Sequence, residues 1–169
     1  MTDNITDLLR LRAHKVTESL TAHFGAGESA STALVRLNDA MKHGALGGGK
    51  RLRPFLVFEC AGLYGVSEDN AMPAALAIEM IHCYSLIHDD LPAMDDADTR
   101  RGQPSVHKAF DEAIAILAGD GLLTDAFTII TAPGAYEPDV ATGLVLELSR
   151  GAGSAGMVGG QMMDLYPGE

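Results

Sequence analysis

The sequence is poor in several residue types, and each scarcity excludes a class of protein. Its 169 residues include no Trp and only two Cys, with 12 Lys and Arg against 23 Asp and Glu, for a formal net charge of -11. Two Cys without the spacing of a disulfide framework or a zinc site exclude a disulfide-rich secreted domain. We expect Cys60 and Cys83, each in an apolar context, to be buried thiols in a reducing compartment.

The deficit of basic residues also argues against negatively charged partners. Nucleic acid and anionic membranes repel an acidic chain unless a local basic patch overrides the overall field. No long run of Lys and Arg forms such a patch, and no apolar run approaches the ~20 residues of a membrane helix. The first residues, MTDNITDLLRLRAHK, lack a positive segment followed by a continuous apolar block. We therefore expect a soluble cytoplasmic protein that binds neither nucleic acid nor membranes.

Helical periodicity dominates the apolar residues, which are 47% of the chain. They recur three and four positions apart, whereas the alternation typical of strands is scarce. The sequence predicts a single all-α domain over residues 1–169, with a glycine-rich hinge at 44–49 and an irregular connection from Pro92 to Pro104. Eight helices are expected: two that begin near Thr2 or Asp3 and near Ser29 or Ser31, and six over 53–63, 70–90, 105–117, 120–131, 140–150 and 154–165.

The segment SLIHDDLPAMDDADTRRG, residues 85–102, places five Asp within ten positions and then two Arg. Carboxylates at this density repel one another unless a cation neutralises them, and Mg²⁺ prefers oxygen ligands, including substrate phosphate. The arginines supply planar donors for the same phosphate oxygens. A solvated acidic loop is the alternative, but the preceding helix is apolar on all sides. An EF-hand is excluded because Arg100 and Arg101 stand where its ligand and glycine belong.

Which carboxylates form a pair depends on Pro92. Along an unbroken helix Asp89 and Asp96, seven residues apart, would share one face. Because proline can kink or end a helix, Asp95 can turn back towards Asp89 instead.

A second charged segment, HGALGGGKRLRPF, covers residues 43–55. It misses the P-loop pattern because Arg51 stands where a hydroxyl residue should hold the metal, and no strand precedes it. Glycines before a helix still let backbone amides approach an anion. Lys50 and Arg53, spaced three apart, are expected on one helix face. His82 lies seven residues before Asp89 and shares its face, although a lone histidine in an apolar helix is more often a core residue.

Three segments together resemble the trans-prenyltransferases, the short-chain isoprenyl diphosphate synthases. They are GGKRLRPFL from Gly48, the stretch from His82 to Phe110, and GGQMMDL from Gly159; the pattern DDxxxxD followed by RRG is the most specific. The resemblance implies the all-α isoprenoid synthase fold around a central cavity, usually in a homodimer. It implies an enzyme that joins isopentenyl diphosphate to an allylic diphosphate with two or three Mg²⁺ ions, for which Mn²⁺ can substitute.

The resemblance also implies a role for each matching residue. Arg100 and the metal ions would stabilise the departing diphosphate, and the isopentenyl double bond would attack the allylic cation before a proton is lost. By the resemblance, Asp89 and Asp95 would bind Mg²⁺ with Asp90 in support, and Arg100 would hold the allylic diphosphate. Four residues would hold isopentenyl diphosphate: Lys50, Arg53, His82 and Arg101. Gln161 and Asp164 would line the cavity.

Product length in this family is limited by bulk on the helix before the first aspartate. Tyr84, with Ser85 next to it, is five positions before Asp89 and implies a fifteen-carbon product, farnesyl diphosphate, made from dimethylallyl or geranyl diphosphate. Ordinary core packing would bury Tyr84 equally well.

Two departures from the family pattern leave alternatives open. Ala97 stands where an aspartate is common. The chain stops at Glu169, before the expected second aspartate-rich motif, so we expect an incomplete domain without its C-terminal helices that is inactive alone. The alternatives are a geranylgeranyl diphosphate synthase, a terpene cyclase, against which Lys50, Arg53 and His82 count, and a noncatalytic diphosphate-binding subunit.

Overall fold

A computed structural model describes residues 5–25 and 31–166. Within these ranges the chain is all-α apart from one small antiparallel hairpin in which Thr99 faces Pro104. The all-α prediction is confirmed. Thr2, Asp3 and Ser29, three of the four expected helix starts, lie outside the described residues, whereas Ser31 is the N-cap of the second helix. The elements are α1 Ile5–Gly25, α2 Thr32–Leu46, α3 Leu52–Leu63, α4 Glu68–Asp89, β1 Thr99–Arg100, β2 Gln103–Pro104, α5 Val106–Ala109, α6 Glu112–Thr131, α7 Pro138–Ala152 and α8 Met157–Leu165.

The centre of the fold is α4, which contacts α1, α2, α3, α6 and α7. Its N-terminus is defined by Ser67, whose side chain accepts a hydrogen bond from the amide of Asn70 at 3.3 Å. Two acidic residues in its first turn favour the positive end of the helix dipole. Buried residues lie on all sides of the helix, including Ala75, Ala77, Met80, Cys83 and Ile87. The predicted position of this helix inside the bundle is therefore confirmed.

Gly119 and Gly44, which the sequence prediction placed between two helices and in a hinge, lie inside helices and form packing contacts. The predicted helices over 105–117 and 120–131 are wrong, because α5 is a single turn and α6 runs unbroken through Gly119. A Cβ at Gly119 would overlap the ring of His88 on α4. Similarly, α2 continues through Gly44, where a Cβ would lie 2.5 Å from Cδ1 of Ile87. These glycines allow α2 and α6 to approach α4 closely, so the hinge is shorter than expected.

The two cysteines differ in exposure. Cys83 is 1% exposed, and burial raises the pKa of its thiol to about 12. Cys60 is exposed on α3, so the prediction that both thiols are buried is wrong for this residue. The apolar residues near Cys60 in the sequence do not all face the core, because α3 has an exposed face that also carries Leu56 and Leu63.

One described helix, α6, is apolar and long enough to cross a membrane by length and composition alone. It packs against α2, α4, α5 and α7. Core helices of globular proteins pass the same test when their apolar residues face neighbouring helices.

Candidate functional site

The acidic motif begins where α4 ends. The helix stops at Asp89, so Pro92 follows the helix rather than kinking it. The chain then folds back, and the amide of Asp95 donates to the carbonyl oxygen of Asp89 at 2.8 Å. The helical pairing of Asp89 with Asp96 therefore does not apply, and the fold brings the backbone of Asp95 back to that of Asp89.

The Asp89 carboxyl is partly buried and is hydrogen-bonded from the last described helix. Gln161 on α8 donates from Nε2 to Oδ1 of Asp89 at 2.6 Å. Burial raises the pKa of Asp89, the hydrogen bond from Gln161 opposes the rise, and the negative charge of Asp95 adds to it. Asp164, three residues after Gln161, is exposed. The structure thus brings Gln161 to the motif and gives Asp164 no contact with it among the described hydrogen bonds.

Asp90, the second aspartate of the motif, forms an ion pair with Arg100. Asp90 is 3% exposed, and Nε of Arg100 lies 3.0 Å from both of its carboxylate oxygens, while Nη2 also donates to Oδ1. The hydrogen bond to Asp90 raises the pKa of the guanidinium. Both oxygens of Asp90 are therefore engaged by Arg100, and Asp90 orients this arginine on β1 in the way that bidentate pairs fix geometry.

Magnesium was expected at this motif, and the donor chemistry fits it. No group of three or more His, Cys, Asp or Glu side chains in the described part of the chain is arranged as a metal site. Mg²⁺ is commonly held by one or two carboxylates and completes its octahedron with water and substrate phosphate oxygens. Asp89 and Asp95, whose charges interact, supply two such carboxylates, whereas Asp90 is occupied by Arg100.

A basic cleft of about 560 Å³ lies beside the hairpin and the start of α3. Its walls come from the loop between α2 and α3, from α4 and from the turn after β1. All four residues expected to hold isopentenyl diphosphate line this cleft: Lys50, Arg53, His82 and Arg101. Three segments distant in sequence therefore converge on one concave surface with three exposed permanent cations, Lys50, Arg53 and Arg101, and the buried Arg51 at its base.

The glycine-rich loop reaches the cleft by an unusual backbone path. Gly48, Gly49 and Arg51 have φ angles of 95°, 131° and 49°, values that favour glycine. Arg101 lies against Gly49 and donates from Nη1 to the carbonyl oxygen of Gly48. Lys50 precedes α3, which begins at Leu52, so the expectation that it shares a helix face with another cation is wrong. The loop, not helical spacing, brings Lys50 to the cleft.

His82 is the polar uncharged member of the cleft. Its Nε2 lies 3.5 Å from Nη2 of Arg101. Burial, and after it the charge of Arg53, lower the pKa of His82 from 6.5 to about 4, and only the carboxylate of Glu79 opposes the shift among the leading causes. The imidazole is therefore neutral near pH 7 and can accept or donate a hydrogen bond without adding charge.

Sequence reasoning missed an ion pair beneath this cleft. The sequence groups Arg51 with Lys50 and Arg53 in one basic segment, yet Arg51 is 3% exposed and its Nη1 donates to Oε1 of Glu79, 2% exposed, at 2.7 Å. One signal was present in the sequence: Glu79 stands between Ile78 and Met80 in a helix that is apolar on all sides. A carboxylate in such a place requires a buried cationic partner.

The residues expected to limit product length lie one to two turns before the motif. Tyr84 is 7% exposed, and its ring makes an edge contact with His88 at 5.7 Å between centroids. Burial raises the pKa of the Tyr84 hydroxyl. Ser85 donates from Oγ to the carbonyl oxygen of His82 at 2.9 Å. The burial of Tyr84 agrees with a cavity floor and with core packing alike.

Comparison with known proteins identifies relatives of this chain. The family model described as "Polyprenyl synthetase" matches residues 35–169. The chain is 44% identical over 171 residues to "Farnesyl diphosphate synthase" of Bacillus subtilis (strain 168), covering 98% of this chain and 55% of that protein. It is 53% identical over 131 residues to "Farnesyl diphosphate synthase" of Escherichia coli (strain K12), covering 75% and 43%. The chain spans about half the length of the curated relatives it matches.

A solved structure described as an FPP/GFPP synthase from Zymomonas mobilis superposes on the chain with a TM-score of 0.85 at 42% identity. The superposition covers 95% of this chain and 58% of the other. The helices described above therefore follow the same path as those of that protein.

Proposed function

We propose that this chain, which belongs to the polyprenyl synthetase family and has its all-α isoprenoid synthase fold, provides two substrate sites of a trans-prenyltransferase. The reaction would join isopentenyl diphosphate to dimethylallyl or geranyl diphosphate and yield farnesyl diphosphate. The observation that carries this proposal is the convergence of Lys50, Arg53, His82 and Arg101 on one cleft.

The cleft is the proposed site of isopentenyl diphosphate. Lys50, Arg53 and Arg101 offer permanent positive charge within a chain whose formal net charge is -11, so a diphosphate is attracted to this place rather than to the surface at large. Neutral His82 adds a hydrogen bond. The glycine-rich loop exposes backbone close to where phosphate oxygens would lie.

The acidic motif is the proposed site of the allylic diphosphate. Asp89 and Asp95 would hold Mg²⁺, and Arg100, oriented by Asp90, would contact the phosphate oxygens. Bound Mg²⁺ would supply positive charge that stabilises the diphosphate as it departs. Gln161 fixes Oδ1 of Asp89 through its 2.6 Å hydrogen bond.

The proposed chemistry needs no protein nucleophile. The allylic C–O bond breaks and its electron pair leaves with the diphosphate, which Arg100 helps to hold. The double bond of isopentenyl diphosphate then supplies the electron pair of the new C–C bond, and the neighbouring carbon gives up a proton to an oxygen of the departed diphosphate. Lys50, Arg53 and Arg101 hold the second diphosphate so that its double bond faces the allylic carbon, which is catalysis by charge and position.

Product length, assembly and compartment are parts of the same proposal. The resemblance, with Tyr84 five positions before Asp89, supports a fifteen-carbon product. A homodimer is supported by the family resemblance and by Ile116 and Leu117 of α6, which are 45% and 55% exposed. A cytoplasmic location is supported by the free thiols of Cys60 and Cys83.

Calorimetric titration of the chain with isopentenyl diphosphate tests the proposal. Arg53→Gln should weaken binding by at least about tenfold, because one charge-assisted contact is lost. Arg150→Gln is the matched control, since Arg150 is an exposed arginine on α7 and its loss makes the same charge change. Equal affinities of the two variants would contradict the proposed cleft.

Addition of labelled isopentenyl diphosphate, geranyl diphosphate and Mg²⁺ separates the remaining functions. Labelled farnesyl diphosphate identifies a transferase that acts alone and refutes the expectation that this chain is inactive alone. Binding of isopentenyl diphosphate without turnover favours a noncatalytic subunit or a transferase that needs a further polypeptide. A cyclised product from geranyl diphosphate alone would support a terpene cyclase.

A further inference from the structure

The ion pair between Arg51 and Glu79 has no role in the function proposed above. Arg51 donates from Nη1 to Oε1 of Glu79 and from Nη2 to the carbonyl oxygen of Ala45, both at 2.7 Å. Its Nε lies 3.4 Å from Oγ1 of Thr17. One guanidinium therefore joins α1, α2 and α4 directly below the cleft, with its side chain 1% exposed.

Arg51 is also the last residue of the glycine-rich loop. It is the N-cap of α3 and has a φ angle of 49°, in the left-handed region that disfavours residues with a Cβ. Such a conformation persists where its surroundings hold it, and here the three contacts of the buried side chain do so. Lys50 and Arg53 flank Arg51 and are exposed in the cleft. The position of these two cations therefore depends on where Arg51 is anchored.

The pair also balances charge under the anion site. Glu79 lines the cleft and lies one turn before His82 on α4. An unbalanced carboxylate there would repel a diphosphate and would be costly to bury. Arg51 holds an opposite charge against it while remaining out of reach of solvent.

We propose that Arg51 and Glu79 are a positioning pair that fixes the glycine-rich loop and neutralises the floor of the cleft, so that Lys50 and Arg53 meet the diphosphate. The pair acts through these two cations rather than by contact with the ligand. The inference rests on the proposed function, because it gives the pair a role in binding isopentenyl diphosphate.

Calorimetric titration with isopentenyl diphosphate compares the unsubstituted chain with two variants. Arg51→Met should bind at least about tenfold more weakly, since it releases the loop and leaves Glu79 unbalanced. The double variant Arg51→Met with Glu79→Leu should bind more tightly than Arg51→Met but more weakly than the unsubstituted chain, because the repulsion is removed while the anchor is still missing. Arg10→Met, which removes an exposed arginine of α1, should bind as the unsubstituted chain does.

The double variant keeps the test valid if Arg51→Met does not fold. Apolar replacement of both partners of a buried ion pair commonly preserves folding. A second readout is the pKa of His82 measured by NMR. It should rise in folded Arg51→Met, because Glu79 raises it and Arg51 lowers it; an unchanged pKa would contradict the claim that Arg51 balances the charge of Glu79 in the cleft.

The outcomes separate this inference from the proposed function. If the unsubstituted chain does not bind isopentenyl diphosphate, both fall together. If it binds and the double variant binds equally tightly, the positioning pair is refuted and the proposed cleft stands. If binding weakens in the stated order, both are supported.

Discussion

Alanine substitution at two adjacent glycines isolates the contribution of Arg101 to the cleft. Gly48 and Gly49 have φ angles of 95° and 131°, and a residue with a Cβ held there costs about 1–3 kcal/mol of folding free energy. A Cβ at Gly48 meets nothing within 4 Å, whereas a Cβ at Gly49 would lie 2.5 Å from Nη1 of Arg101. That atom is the far end of a flexible side chain, so it can move at little cost in stability.

The two variants should therefore be similarly destabilised but bind differently. Gly49→Ala displaces Arg101 from the carbonyl oxygen of Gly48 and from the cleft. Loss of one charge-assisted contact is worth about 1.5–3 kcal/mol, which weakens binding of isopentenyl diphosphate by roughly 10-fold to 150-fold. Gly48→Ala should keep most of the affinity. Urea unfolding and calorimetric titration measure the two effects, and equal affinities of the variants would refute the placement of Arg101 at the diphosphate.

Four further substitutions test other parts of the site. Asp90→Asn breaks the pair with Arg100 and should lower the free energy of unfolding by about 1–3 kcal/mol. Asp89→Asn removes a carboxylate whose pKa burial already raises, so it should raise the free energy of unfolding and abolish any stabilisation by Mg²⁺. Thermal unfolding of both variants with and without Mg²⁺ measures these effects, and a loss of stability in Asp89→Asn would contradict the described burial of that carboxylate. His82, with its pKa lowered from 6.5 to about 4, binds its proton more readily in the unfolded chain, so its contribution to stability is complete above pH 6.5 and is lost as the pH falls towards 4. His82→Gln should therefore lose less stability on acidification than the unsubstituted chain, and equal losses in urea titrations would show that the histidine is not buried as described. In an intact enzyme that converts geranyl diphosphate, Tyr84→Ala should lengthen the product beyond fifteen carbons. An unchanged product in chromatography would reject Tyr84 as the cavity floor.

Much of the site was predictable because its residues belong to short motifs with clear chemistry. The convergence of Lys50, Arg53, His82 and Arg101 followed from the resemblance, and the structure brings all four together. The return of Asp95 to Asp89 followed from the helix-ending property of Pro92. Spacing alone did not explain Lys50, since it lies in a loop whose path depends on tertiary contacts.

The errors share one physical cause. Gly44 begins the predicted hinge and Gly119 lies between the predicted helices over 105–117 and 120–131, whereas both glycines lie inside helices and let α2 and α6 approach α4, a contact between residues distant in sequence. The sequence groups Arg51 with its charged neighbours Lys50 and Arg53, yet its partner Glu79 is 28 residues away. Local propensity gives no access to such contacts, and tertiary packing overrides it.

The most direct test of the account is a crystal structure with isopentenyl diphosphate, a non-hydrolysable allylic diphosphate and Mg²⁺. The account predicts one diphosphate against Lys50, Arg53 and Arg101, and the other joined through Mg²⁺ to Asp89 and Asp95. A structure in which the basic cleft is empty of diphosphate and the two carboxylates face solvent without a metal ion would contradict it.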